Sequence, residues 1–554
     1  MTVRNLNFLF RPRSVAVIGA TDRDNAVGNV AMRNLLNGGF SGPIMPVNPK
    51  RQAVAGVLAY PDVASLPVTP DLAVLCVPAR HVVEQVRRLG ERGTRAAVVF
   101  AAGMGTATGE SGRSPQAEMM EAAATYRMRI LGPSTLGMIV PAIGLNASFA
   151  PLGAIPGKIA FVSQSGTLCT AVLDWARPKG IGFSHFISLG DCADVDFGDL
   201  LDYLGSDPST RAILLYIESI HQRRNFMSAA RAAARNKPII AIKAGRVAES
   251  ARAAQTHTGA LAGSDAVYHA ALRRSGMLRV YELEEMFTAV ETLSRTRPPR
   301  GTRLAIVSNG GGLGVMAVDE LIEVGGTLAA FSEETLGKLN AVLPGGWSKD
   351  NPVDILIDAN GERYAKALEV LFQAPEVDSV LVLHSPSALS SPTEVAEHII
   401  KTVKTHKANA LACMVGQERV GPARRLLREG GIAAYETPGA AVHAFMHLLR
   451  YRRNQAMLLE TPVSALADFT PATDRVRALI GQVLAAGRTV MSEPEAKEVL
   501  EAYGIPTVET CIARTPAEAS RIATRMDGPV ALKILSADVT HKSDVGGVVL
   551  NLAG

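Results

Sequence analysis

From residue 14 to about residue 440, short apolar runs ending in Gly, Ser, Asn or Pro alternate with longer segments of helical period. The first run, Ser14 to Ala20 (SVAVIGA), leads into a polar turn with Gly28 and a helix through Met32, Leu35 and Leu36. Strand-like runs follow at Ile44–Val47, Leu72–Val77, Ala96–Phe100 and Arg129–Leu131. Near-continuous apolar runs separated by helices predict a parallel sheet covered on both faces, with ligands at the carboxyl ends of its strands. Composition turns to Pro and Gly near Pro151–Gly157, a boundary signal. The pattern then restarts at Lys158–Val162 and continues through Phe183–Leu189, Ala212–Ile217 and Ile239–Lys243. After the linker RTRPPRG (295–301), a third series runs through Arg303–Val307, Val377–Leu383, Ala410–Val415 and Ile432–Tyr435. The α/β class predicted is three doubly wound modules of similar build, too divergent for a repeat of fixed period.

A charged helix around Arg450, Arg452 and Arg453 and a Pro/Ala/Asp/Thr linker separate these modules from a last unit. That unit reads as helix (Pro494–Tyr503), strand (Thr507–Ala513), helix (Pro516–Met526), strand (Val530–Ile534), a polar loop through His541, and strand (Val548–Leu552). About sixty residues make a small core, which leads us to expect that the last domain is incomplete in this chain.

Composition narrows the picture. Apolar residues are 47% of the 554 and aromatics only 5%, which suits α/β layers better than β-sandwiches. A formal charge of +5 is too small and dispersed for a nucleic-acid partner. The cysteines Cys76, Cys169, Cys192, Cys413 and Cys511 show no C-x-x-C spacing, so we expect reduced thiols, a cytoplasmic protein and no zinc site. The first residues lack a signal-peptide run, and no apolar stretch approaches the ~20 residues of a membrane span.

Candidate chemistry sits at strand ends. The turn from Gly19 to Gly28 is not G-x-G-x-x-G, and the second strand ends in Asn48-Pro49-Lys50 rather than an acid, which argues against NAD. Lys50 suits a phosphorylated ribose, as in coenzyme A (CoA) or NADP. It is equally compatible with a solvated turn. Val77 and Pro78 could wall the same cleft. Ser163-Gln164-Ser165-Gly166 at a strand-to-helix turn would cradle an anion, although Ser is also an ordinary N-cap. The turn Ser308 to Gly314 (SNGGGLG) repeats the pattern, either for a ligand or for close packing. The segment Gln255 to Asp265 (QTHTGALAGSD) places His257 in a Thr/Gly loop without apolar period. A neutral imidazole there could accept and pass on a phosphoryl group, and Glu218, at another strand end, could hold its ring. Each also has a bland reading, as a surface loop histidine and a helix-start carboxylate.

Taken together, SVAVIGA, Gly132 to Gly137 (GPSTLG), Ser163 to Gly166 (SQSG), Lys243-x-Gly245-Arg246, His257 to Gly263 (HTGALAG), Asn351 to Asp354 (NPVD) and His541 to Gly547 (HKSDVGG) resemble the NDP-forming acyl-CoA synthetases, relatives of succinyl-CoA synthetase. The resemblance covers nearly the whole chain. It implies a CoA-binding Rossmann-like domain (1–150), two flavodoxin-like ligase domains (151–298 and 299–456), a linker (457–490) and the first lobe of an ATP-grasp domain (491–554). It implies an ADP-forming acid–CoA ligase that interconverts acyl-CoA, ADP and phosphate with acid, ATP and CoA. His257 becomes the phosphohistidine, Glu218 its support and His541 a second relay histidine. Ser163, Gln164, Ser165 and Gly166 hold phosphate, Gly19, Thr21, Lys50, Val77 and Pro78 approach CoA, and Lys533 meets nucleotide phosphate. CoA, ATP or ADP and Mg²⁺ are the implied ligands, with the Mg²⁺ site past Gly554. Small carboxylic acids and acyl-CoA are the implied substrates, a homo-oligomer the implied assembly. Ser134 stands where the family pattern usually has Asn.

A narrower set, Met32 to Leu36 (MRNLL), Gly39 to Pro43 (GFSGP), Leu145 to Phe149 (LNASF) and Tyr451 to Gln455 (YRRNQ), looks like the synthetase-like body of Pat-type bacterial protein lysine acetyltransferases. There the body senses CoA metabolites and precedes a GNAT acetyltransferase module. Protein lysines would be substrates only if such a module follows Gly554.

Overall fold

The computed structural model describes residues 3–105, 112–247, 249–250, 264–296, 298–299, 301–460, 470–526, 528–536, 538–539 and 541–552. They form two compact units, 1–460 and 461–554. The first sheet of the larger unit contains β1 (Val15–Ile18), β2 (Ile44–Val47), β5 (Leu72–Leu75), β6 (Ala96–Val99) and β7 (Arg129–Leu131), with a small hairpin β3 (Ala53–Val54) and β4 (Val57–Leu58) beside it. Its order is β2-β1-β5-β6-β7, all parallel. Val15 and Val17 pack toward Leu6, Phe10 and the helix Val27–Asn37, while Ala16 and Ile18 pack toward Val82, Val86 and Leu89. Burial on both faces is why these strands read as unbroken apolar runs. The order reverses between β1 and β5, which opens a crevice at their carboxyl ends.

The second sheet contains β8 (Gly137–Val140), β9 (Leu145–Ser148), β10 (Pro156–Ser163), β11 (Phe183–Ser188), β12 (Ala212–Ile217), β13 (Ile239–Lys243) and β14 (Leu278–Val280). The order is β14-β13-β12-β10-β11-β8-β9. The hairpin β8–β9 went unread in the sequence. It precedes the Pro/Gly break yet pairs antiparallel with β11, Ile139 opposite Phe186. Helix Val27–Asn37 of the first module is seated on it, with Asn34 Nδ2 donating to the carbonyls of Ser148 and Ala150, each at 2.9 Å. The first two modules are therefore interlocked.

Arg129 adds a second lock. It is 6% exposed, and its guanidinium donates to Asp194 at 2.8 Å, Asp199 at 2.7 Å and the Arg4 carbonyl at 3.2 Å. Removing one member of a buried ion cluster leaves uncompensated charge. Arg129→Ala is expected to destabilise the larger unit by about 3–5 kcal/mol. Urea melting of the variant checks this, and a midpoint equal to wild type would contradict it.

The third sheet contains β15 (Arg303–Ser308), β16 (Thr327–Leu328), β17 (Val353–Asp354), β18 (Ser379–His384), β19 (Ala410–Met414) and β20 (Ala434–Tyr435). Its order, β16-β15-β18-β19-β20, matches β11-β10-β12-β13-β14 strand for strand, with β17 added beside β15. The helix Pro438–Leu459 ties this module to the second, since Asn454 and Gln455 donate to the carbonyls of Met277 and Gly276 at 2.6 and 2.9 Å.

In the smaller unit, helices Thr473–Ala485, Glu493–Ala502 and Pro516–Arg525 accompany the antiparallel pair β21 (Val530–Lys533) and β22 (Val548–Leu552). The first of these helices lies in the stretch read as linker and packs on the second. Thr507–Ala513, read as a strand, joins no ladder among the described residues. Its alternation is strand-like, but a strand needs a neighbour to satisfy its backbone. Among the described residues no helix is long and apolar enough to cross a membrane.

Candidate active site

The crevice of the first sheet gathers the residues expected at CoA. Gly19 has φ +86°, and a Cβ there would lie 2.9 Å from the Cys76 carbonyl oxygen and 3.0 Å from Val77 Cγ1. Gly28 is tighter still, since its Cβ would stand 2.2 Å from the Gly19 carbonyl oxygen. Glycine at these two positions lets the β1 turn and the following helix close together. Thr21 Oγ1 accepts from the Arg23 N–H at 3.2 Å. Asn48 Nδ2 donates to the Ala20 carbonyl at 2.7 Å, which brings the second strand's end to the same turn and leaves Lys50 exposed. Val77 is half-buried, and exposed Pro78 precedes the helix Ala79–Glu91. These residues line one edge.

In the second module, the anion-type turn lies between β10 and the helix Gly166–Ala176. Ser163 Oγ donates to the Ser165 carbonyl and accepts from the Ser165 N–H, both at 3.0 Å. Ser165 Oγ caps the helix by accepting from the Leu168 N–H at 3.3 Å. The N–H groups of Gly166 and Thr167 fall in the first turn, where helices offer no internal acceptor. Gln164 does something its sequence position did not reveal. Its Oε1 accepts from the N–H groups of Glu218 and Ser219 at 2.7 and 3.0 Å, bracing the end of β10 against the end of β12. Glu218, half-buried, is thereby fixed beside the turn. His257 lies outside the described residues. The chain on either side of its segment leaves β13 through Lys243 to Arg246 and re-enters at Ser264 and Asp265, where Asp265 accepts from Arg279 at 2.6 Å.

The loop from Gly132 to Leu136 closes the edge from the other side. Ser134 adopts φ +56° and donates to Asp191 at 2.8 Å, and Gly190 sits so close that a Cβ would meet the Pro133 carbonyl oxygen at 2.1 Å. Burial pushes the Cys192 thiol up to about 12, so this neighbour of Gln164 stays neutral.

The third module repeats the turn. Ser308 Oγ donates to the Gly310 carbonyl at 2.8 Å and accepts its N–H at 3.1 Å, and Asn309 takes the place of Gln164, exchanging hydrogen bonds at 2.8 Å with the backbone of Ser385. This brace was invisible in the sequence, where the glycines dominate the motif.

In the smaller unit, Lys533 and Lys542 both donate to Glu493, at 2.8 and 2.7 Å. Hydrogen bonds from the two ammonium groups hold the Glu493 carboxyl down at about 2. His541 is exposed and precedes the 3₁₀ turn Lys542–Val545. The described residues contain no cluster of three or more His, Cys, Asp or Glu suited to a metal ion.

Three doubly wound modules are thus followed along the chain by a smaller unit of helices and a hairpin. Residues 13–141 match the CoA binding domain, 156–293 the succinyl-CoA ligase like flavodoxin domain and 482–554 the ATP-grasp domain. The ADP-forming acetate–CoA ligase I of Archaeoglobus fulgidus is 41% identical over 98% of this chain and 77% of its own length. The alpha subunit of the Pyrococcus furiosus ADP-forming acetate–CoA ligase I is 38% identical over 82% of this chain and 99% of its own length. The solved acetyl-coenzyme A synthetase 1 of Ca. Korarchaeum cryptofilum, in complex with phosphate and ADP, is 35% identical over 82% of this chain and 99% of its own, with a TM-score of 0.74. The chain belongs to the ADP-forming acetate–CoA ligase family.

Proposed function

We propose that the protein is an ADP-forming acid–CoA ligase that works through a phosphohistidine. Phosphate oxygen attacks the acyl carbon of acyl-CoA, the C–S bond breaks, and CoA leaves as the thiol. His257 then takes the phosphoryl group from the acyl phosphate, which releases the carboxylic acid, and passes it to ADP. A covalent intermediate divides one long transfer into two short ones. The observation that carries the reading is the Ser163–Gly166 turn locked by Gln164 to Glu218, in a chain that aligns along 98% of its length with an acetate–CoA ligase. In this account the first-turn N–H groups receive the phosphoryl anion. Glu218 orients the imidazole. Gly19, Thr21, Lys50, Val77 and Pro78 flank the CoA, Lys533 and His541 serve the nucleotide side, and the domains are the CoA-binding 1–150, the two ligase domains 151–298 and 299–456 and the ATP-grasp lobe 491–554, joined by the linker 457–490. Acetate or another small acid is the substrate, and a subunit-split relative supports assembly into an oligomer.

The alternative, a metabolite-sensing body of a lysine acetyltransferase, is less favoured because the aligned relatives are ligases. The test is to supply the full-length protein with acetyl-CoA, ADP, phosphate and Mg²⁺. ATP and free CoA are expected in a one-to-one ratio, both dependent on phosphate. CoA release without ATP, or acetyl transfer to a protein lysine in its place, would reject the proposal.

A further inference from the structure

In the ligase reading, the acyl carbon lies between the crevice of the first sheet, on the CoA side, and the Ser163–Gly166 turn, on the phosphate side. The loop from Gly132 to Leu136 touches both edges. The Ser134 N–H donates to the Ala101 carbonyl, just past the end of β6, at 2.9 Å. The Ser134 hydroxyl donates to Asp191, just past the end of β11, at 2.8 Å. That end of β11 is in turn tied to the turn. The Leu189 N–H donates to the Ser163 carbonyl at 2.8 Å, and Gln164 Nε2 stands 3.5 Å from Cys192 Sγ. On the loop's other side, a Cβ on Gly166 would lie 3.6 Å from Leu136 Cβ. Ser134 and Asp191 therefore pair where the two edges meet.

Asp191 is exposed, yet its position is fixed. Its N–H donates to the Pro133 carbonyl at 2.9 Å, and the Ala193 N–H donates to the Gly132 carbonyl at 3.1 Å. Ser134 and Cys192 hold left-handed backbone, at φ +56° and +53°. Residues with a side chain keep that conformation where the surroundings over-determine it. The two interlocked loops thus present one carboxylate in a set orientation. A carboxylate has about four acceptor positions, so the Ser134 hydroxyl leaves it both a negative charge and an acceptor.

The third module supplies an internal comparison. There β16 holds the place of β11 in the shared strand order, and the chain leaves it through Ala329, Ala330 and Phe331. The strand order alone therefore does not call for an acid at this point. The helix that follows β11 is capped by Asp196, whose side chain accepts from the N–H groups of Gly198 and Asp199 at 2.8 and 3.1 Å. Asp191 is not needed for that cap.

We propose that Asp191, oriented by Ser134, is a specificity-determining residue that keeps acyl groups bearing a second carboxylate out of the site. This assignment rests on the ligase reading of the same site. An acyl chain extends from the thioester carbon into the gap between the two edges. An uncharged chain end meets Asp191 at little cost, whereas a carboxylate end meets a like charge. Specificity is a difference between substrates, and a fixed repulsive group supplies it without any added attraction.

The test uses the full-length protein with labelled acetyl-CoA, ADP and phosphate, and follows labelled acetate while succinyl-CoA or butyryl-CoA competes. Both competitors carry four-carbon acyl groups, so the ratio of their inhibition constants reads charge rather than length, and neither need be turned over. Wild type is expected to bind succinyl-CoA at least roughly ten-fold more weakly than butyryl-CoA. In Asp191→Asn that ratio should fall at least roughly five-fold. Asn still accepts the Ser134 hydroxyl, so a residue that only held the loop would leave the ratio where it was. A smaller wild-type ratio, or a smaller fall in Asp191→Asn, overturns the assignment. If the variant loses its cooperative melting transition, salt decides. Screening shortens the reach of an exposed charge from about 10 Å at 0.1 M to about 3 Å at 1 M, so the wild-type ratio must fall over that range, and a constant ratio overturns the proposal. A wild-type protein that makes no ATP from acetyl-CoA, ADP and phosphate removes the ligase reading, and this assignment with it. ATP formation with equal inhibition constants removes the assignment alone.

Discussion

His257→Ala is expected to lower ATP formation from acetyl-CoA, ADP and phosphate at least ~10³-fold, as for other removed nucleophiles. In the proposed sequence of steps, cleavage of acetyl-CoA to acetyl phosphate precedes the transfer assigned to the imidazole, so the variant should retain a slow, phosphate-dependent release of CoA that stops after about one turnover. The melting temperature should not move, because a Thr/Gly segment without apolar period contributes little to a core. The expectation stands on the sequence around His257 and on the described turn it would serve. A steady-state assay and a single-turnover assay for CoA thiol check both halves. Turnover within ten-fold of wild type would remove the imidazole from the pathway.

Acid is expected to unfold the larger unit in the window between pH 6.5 and 4. His185, His384 and His447 are at most 2% exposed, and each keeps at least one ring nitrogen without a hydrogen-bond partner. Burial depresses all three to about 4, even though Asp207 opposes the shift at His185 and Glu285 at His447. A histidine depressed in the folded state binds its proton more readily once unfolded. Its contribution is therefore present above the unfolded value near 6.5 and is lost as pH falls toward 4. Each of the three contributes about 3 kcal/mol at full effect, against a typical domain stability of about 5–15 kcal/mol. Asp199 acts with the opposite sign. Burial raises it to about 6 despite Arg129, so its protonation stabilises the fold as pH falls through that value. Burial raises the neighbouring Asp196 as well, and these two carboxyls do not offset three histidines. Melting curves at pH 7.0, 5.5 and 4.5 should show a steep fall in the transition temperature. A flat profile down to pH 4.5 would mean that these rings find partners on protonation.

The three sheets were legible in the sequence because their strands are buried on both faces and end in turn residues. The anion-type turn was legible for the same reason: Ser163 to Gly166 breaks an apolar run with small polar residues. What stayed hidden depended on tertiary partners. Gly137 to Val140 is too short an apolar run to announce a strand, and nothing local says that it pairs with β11 beyond the Pro/Gly break. The brace made by Gln164 needs Glu218, 54 residues away. Lys243 looks like a solvated strand-end lysine until the fold encloses it beneath Tyr268. In the smaller unit, Thr507–Ala513 carries the alternation of a strand without finding a neighbour among the described residues.

The measurement that bears most directly on this account is the chemical identity of the phosphorylated side chain. The full-length protein is incubated with ATP and Mg²⁺, digested at neutral pH and read by mass spectrometry. The account predicts phosphohistidine at His257, stable in base and labile in acid. ATP consumption that yields acyl-CoA while the protein stays unmodified, or carries its phosphate on a carboxylate or hydroxyl, would contradict it.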